Sequence, residues 1–170
     1  HKIDNDSAVS RLSVSPESFK RQMDFLKRHN YNVVRLEEIP DLIKSGKIPH
    51  NTIAITFDDG YENNYTNAFA VLKNIGFPAT IFIVPALIDK EGYLTWDQVI
   101  EMSQSVISIG SHSLTHAYLP DLAEQALNTE IVDSKRSIES HIRKEIYSFS
   151  YPLGAFNEYV RDKVSKAGYE

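Results

Sequence analysis

Two neighbouring carboxylates, Asp58 and Asp59, end an apolar run in ITFDDGY (55–61), and two histidines four residues apart, His112 and His116, follow another in SHSLTH (111–116). A four-residue spacing brings two imidazoles together on one turn of helix or on a turn-like loop, so the pair can clasp one metal ion. A carboxylate would complete a set of two His and one Asp and leave positions open for water and substrate, the composition of a catalytic zinc site. The same ligand types also serve iron. Either Asp58 or Asp59 can supply the third ligand. Adjacent residues at a strand end point in different directions, so one carboxylate can bind metal while its neighbour acts as a base. A bound metal acidifies water, and a carboxylate beside it can take the proton as the oxygen attacks a carbonyl carbon. Gly60 permits a sharp turn after the pair. Each motif alone has a plainer reading, because HxxxH recurs by chance on solvated helices and Asp-Gly is among the commonest turn pairs.

The elements that must position these residues are legible as an alternation. Ser15-Pro16-Glu17 has the cap-then-proline form of a helix start, with Phe19, Met23 and Leu26 on one face, which predicts a helix to about Asn30. The β-rich runs NVVRL, TIAITF, ATIFIV, VISIG and YSFSY are separated by helically spaced segments, such as Tyr65, Phe69 and Leu72 before Gly76. Thr95 to Gln98 reads as a capping box. Further helices are expected from about Leu122 to Arg143 and from Phe156 to Ala167, the latter stopped by Gly168. A run such as TIFIV, apolar at nearly every position, fits a parallel sheet covered by helices on both faces. Asp58 and Asp59, His112, and Tyr151-Pro152-Leu153-Gly154 each follow a predicted strand, which is the rim where catalysts and ligands sit in parallel α/β architectures.

Composition narrows the class. At 170 residues and 42% hydrophobic, the chain can build one sizeable core, and it reads as one domain over 1–170. The net charge of −5, with Lys and Arg scattered among acids, argues against nucleic acid as a partner. With no cysteine, any metal must use His and carboxylate. The longest apolar runs are too short to span a bilayer, and no signal-peptide pattern opens the sequence.

TFDDG, HSLTH and the aromatic-Pro-x-Gly segment, in this order and at these separations, resemble the polysaccharide deacetylases of carbohydrate esterase family four. The surrounding text does too: VSPESFKRQMDFLKRHNYNVVRLEEI before the first motif, FPATIFIVP after it, and YLTWDQVIEM before the second. Within the family the resemblance is to the branch that de-N-acetylates poly-β-1,6-N-acetylglucosamine. It implies an α/β fold, a distorted and incomplete (β/α) barrel. It also implies a divalent metal, zinc by ligand type, on Asp59, His112 and His116, with Asp58 as general base. The Leu153 N–H would help hold the oxyanion. The implied substrate is a polysaccharide containing N-acetylglucosamine, and the implied location is extracellular or at the cell envelope. Tyr151, Pro152 and Trp96 are candidates for substrate binding, because sugar rings offer C–H faces that pack on aromatics.

The sequence also departs from the family pattern. Ser150 stands where many members carry an Arg two residues before the proline. The fourth motif has only a loose match in Trp96-Asp97, and a late histidine acid has no counterpart before Glu170, so the general acid is expected beyond it. HKID at His1 resembles the end of the family's first strand, so the chain reads as clipped at both termini, with His1 an ordinary terminal residue. His29, His50 and His141 read as solvated surface histidines, and Asn64-Tyr65-Thr66, a glycosylation sequon, as a helix surface. Two competing classes are a carbohydrate-binding domain that kept the fold and lost catalysis, and a non-haem iron oxygenase. Intact TFDDG and HSLTH weigh against the first, and the β/α alternation against the second.

Overall fold

The computed structural model describes residues 2–4 and 12–170; His1 lies outside them. Seven short strands pair only in parallel: β1 (Lys2–Ile3) with β2 (Ser13–Val14), β3 (Asn32–Val33) with β4 (Thr52–Ile53), and β5 (Thr56–Phe57) with β6 (Ala79–Ile83) and β7 (Ile107–Ser111). The run expected as one strand, TIAITF, is two, parted at Ala54 and Ile55. Hydrogen bonds from Val34 N to Ile53 O (3.0 Å) and from Thr80 N to Ile55 O (2.9 Å) carry the pairing across that break. On the far side YSFSY forms a single parallel bridge, Phe149 to Ser111, in place of the expected strand. The result is an open, incomplete parallel barrel, and no pairing among the described residues closes it.

All five residues of β6 are buried, as a strand covered on both faces requires. Helices α1 (Pro16–Arg28), α2 (Ile39–Ser45), α3 (Ala70–Ile75) and α4 (Trp96–Ser103) lie between strands, and α5 (Glu124–Asn128), α6 (Ser134–Ile142) and α7 (Glu158–Lys166) follow β7. Their starts follow the predicted signals. The Ser15 side chain accepts from Ser18 N at 3.2 Å, and Thr95 and Gln98 exchange both bonds of a capping box. Leu72, Ile83, Leu94, Met102, Leu127 and Ile138 fill the core between sheet and helices. Gly110 is required by close approach: a Cβ there would stand 2.5 Å from the Phe82 ring.

Two helical runs contain π-turns. Asn64–Phe69 leads into α3, and Thr129–Asp133 joins α5 to α6, so the helix expected over 122–143 runs on through a locally underwound turn that carries an extra residue. The first π-turn corrects the reading of Asn64. It lies on the same inward face as Ala68 and Phe69 and is fully buried, so the sequon is not a surface feature. His29, His50 and His141 are exposed, as expected, though His29 stacks on Phe25 and His141 on Trp96.

Candidate active site

The first site segment is a turn built from its own residues. Beyond β5 the backbone reaches φ 72° at Asp59 and 74° at Gly60, conformations that an Asp-Gly pair tolerates best. A Cβ on Gly60 would meet Ile83 Cγ2 at 3.2 Å, a tight contact that adds to the preference its φ sets for glycine. The turn is anchored where Leu94 N donates to Gly60 O (2.9 Å) and Tyr61 bridges antiparallel to Tyr93.

The second segment leaves β7 at Ser111 and is held from outside. His112 N donates to Ile83 O (2.9 Å), and His112 Nδ1 lies 2.8 Å from Ser150 O. A carbonyl can only accept, so Nδ1 carries the proton and the Nε2 lone pair is left for a ligand. Ser113 (φ 61°) and His116 (φ 66°) both adopt left-handed backbone. His116 N donates to Ser113 Oγ (3.0 Å). The buried Glu130 accepts from Leu114 N and Thr115 N, each at 2.9 Å, and from the Thr115 hydroxyl at 2.6 Å. Of eight non-glycine residues with positive φ among those described, Asp59, Ser113, His116 and Leu153 belong to the three motifs, so backbone strain concentrates here.

The two segments meet. Asp59 Oδ1 stands 3.6 Å from His112 Nε2 and 3.4 Å from His116 Nε2, and the three ligand atoms lie within 4.8 Å of one another. Three ligands about 2.1 Å from one ion at tetrahedral angles stand about 3.4 Å apart, so the triad fits a zinc-type ion. Burial is the main influence on His112 and holds its pKa below the ordinary value, against the Ser150 carbonyl and the charges of Asp58 and Asp59, which favour the proton. It is therefore a neutral, ligand-ready imidazole at pH 7.

Asp58, Asp59, His112, His116, Tyr151 and Leu153 line one cleft of about 590 Å³. Leu153 is 73% exposed, with φ 59°. Pro152 is buried beneath the wall that its neighbours form. Trp96 is placed elsewhere: half-buried against the core, it stacks on His141 at 3.7 Å and is absent from the cleft lining.

Residues that sequence reasoning passed over also shape the site. Tyr61 and Tyr93 line the cleft and stack at 5.1 Å. The Tyr61 hydroxyl is hydrogen-bonded with Asp59 and Tyr93, and its pKa is pushed up to about 12, first by burial and then by the charge of Asp59. It therefore stays a phenol beside the ligand.

An open parallel (β/α) barrel with a two-histidine, one-aspartate triad at the C-terminal rim of its strands defines the class. The profile described as polysaccharide deacetylase matches residues 45–170, the span holding the whole triad, and the chain belongs to that family. YxkH of Bacillus subtilis (strain 168) is 34% identical over 165 residues, covering 96% of this chain and 59% of that protein. The poly-β-1,6-N-acetyl-D-glucosamine N-deacetylase of Escherichia coli (strain K12) is 24% identical over 215 residues, covering all of this chain and 32% of that protein. The chain thus spans from about a third to three fifths of the length of these curated relatives. Among solved structures, the Streptococcus pyogenes deacetylase PplD in complex with acetate superposes with a TM-score of 0.92 at 25% identity, covering 99% of this chain and 78% of that one.

Proposed function

We propose that this domain hydrolyses the acetamide of N-acetylglucosamine units in a polysaccharide, with a poly-β-1,6-linked exopolysaccharide as the favoured substrate and a setting outside the cell or at its envelope. The observation that carries the reading is the convergence of Asp59, His112 and His116 on one point in the cleft that Asp58 also lines. The name of the Escherichia coli relative supports the choice of glycan.

Asp59 Oδ1, His112 Nε2 and His116 Nε2 would hold a divalent metal, with zinc favoured. When bound, the metal supplies Lewis acidity toward the acetamide carbonyl and toward water. Asp58 takes a proton from the attacking water as its oxygen bonds to the carbonyl carbon. The Leu153 N–H donates to the carbonyl oxygen as it gains charge. The C–N bond then breaks, the nitrogen takes up a proton equivalent to the one Asp58 received, and acetate leaves an amine on the sugar. Tyr151 and the Tyr61–Tyr93 pair offer ring faces to the pyranose.

Acetate release from poly-β-1,6-N-acetylglucosamine, chitin oligomers, peptidoglycan and acetylated xylan, with and without added zinc, tests the reading. Zinc-dependent release, highest on the first, is expected. Absence of release from all four at full metal loading would leave a binding domain instead.

A further inference from the structure

We infer that Glu130 is a positioning residue for the metal triad, one that sets metal affinity by holding the His112–His116 loop in its strained form. This rests on the triad being a metal site. Glu130 is 7% exposed, and its carboxylate is spent on three donors of one loop: Leu114 N, Thr115 N and the Thr115 hydroxyl. Those donors are the residues between the two ligands, and Ser113 and His116 on either side hold φ values of 61° and 66°. A backbone in that region needs compensation from its surroundings. Charge-assisted bonds of this kind are roughly twice as strong as neutral ones.

The same helical run also grips the other side of His112. Ser134, fully buried and four residues past Glu130, shares a 2.8 Å hydrogen bond between its Oγ and that of Ser111. One helix therefore fixes both the approach to His112 and the loop that returns His116 to within 3.4 Å of Asp59. Glu130 lies in the π-turn Thr129–Asp133, and this irregular turn seats a charged side chain beside the buried Ile131. Glu130 touches neither the reacting atoms nor a ligand side chain, so its action runs through the loop.

The test is Zn²⁺ affinity by chelator competition on the 170-residue chain, with the visible spectrum of the Co²⁺-loaded protein as a second readout. Glu130→Ala should weaken Zn²⁺ affinity by roughly 10–100-fold, the usual effect of losing an outer partner of a metal site. The Co²⁺ bands should shift as His116 reorients. Glu130→Gln, which keeps the shape and loses the charge, should fall in between. Leu127→Ala, a buried core change on the same helical run, should lower thermal stability and leave affinity and spectrum as in the wild type. Unchanged affinity in Glu130→Gln and Glu130→Ala overturns the inference, as does an equal loss in Leu127→Ala. Should the alanine variant not fold, unchanged affinity in Glu130→Gln alone overturns it. A wild-type chain that binds no Zn²⁺ instead overturns the metal reading and this inference with it.

Discussion

The aspartate turn and the histidine loop deliver ligands to the same point by opposite means. At residues 58–60 the conformation is local: Asp59 and Gly60 adopt left-handed φ because their residue types permit it, and a Cβ at position 60 would crowd the Ile83 side chain. At residues 112–116 the two strained positions are Ser113 and His116, neither a residue that favours left-handed backbone as glycine does. The loop keeps its shape through Glu130, Ser150 and Ser134, which come from other elements. A site can thus be half encoded in a tripeptide and half in tertiary contacts.

The largest effect expected from breaking this pairing falls on catalysis within the turn itself. Asp58→Asn should keep the metal and lose roughly 10²–10⁴-fold in acetate release, the usual effect of removing a general base. Asp59→Asn should lose metal and activity together, because a neutral amide is a poorer ligand and removes balancing charge. Metal content and acetate release measured side by side decide it: full metal and full activity in both variants would end the hydrolase reading.

A smaller effect separates the cleft wall from the core. Tyr151→Ala should raise KM for the polymer by up to about tenfold, the scale of one aromatic contact, with metal affinity unchanged. Trp96→Ala should leave KM alone and lower stability, since its ring lies on His141 and the core. The reverse pattern would move the groove to the α4 start.

Backbone changes then probe each segment. Gly60→Ala should destabilise the metal-free protein by roughly 1–2 kcal/mol, through its left-handed φ and the Ile83 contact. Ser113→Ala removes the acceptor of the His116 N–H and should remove about 1 kcal/mol. Urea unfolding of both shows whether the two left-handed turns contribute comparably to stability. A neutral Gly60→Ala would mean that the turn is less tightly specified than its φ suggests.

The smallest effect is on pH dependence. Because burial lowers the pKa of His112, the unfolded chain protonates this residue at higher pH than the folded one does. Its contribution to stability is therefore fully present above the ordinary value of 6.5 and is lost as pH falls through the lowered folded value. Metal-free protein should show a falling urea midpoint from pH 7.5 to 5.5, and His112→Gln should flatten that slope. An unchanged slope would assign the acid sensitivity to other groups.

What the sequence revealed follows the same division. Asp58 and Asp59 were legible because a turn signal and a chemical signal occupy adjacent residues. His112 and His116 were legible from spacing and from the strand before them. The parallel alternation was legible because a strand such as β6 shows apolar residues on both faces. The anchors of the histidine loop were not, since no local pattern links Glu130 to Leu114 and Thr115. One signal was present: Leu127, Glu130, Ile131, Ser134 and Ile138 form one inward stripe, and a charge on such a stripe demands partners. Tyr93 reaches the cleft only through its pairing with Tyr61, which depends on the turn at Gly60. YSFSY looked like a strand from its alternation, yet it finds a partner only at Ser111 and contributes one bridge.

The π-turn at 129–133 makes this helix sensitive to chain length rather than to residue identity. Removing one residue there would let the run relax to regular α geometry and rotate everything beyond it by about 100°. Ser134, Ile138 and Ile142 would then swing off the buried face together, and Glu130 would lose its register with them. Single-residue deletions across 129–133 should therefore be far less tolerated than substitutions at the exposed positions of the same stretch, because the count of residues in this helix sets which of them face the His112–His116 loop.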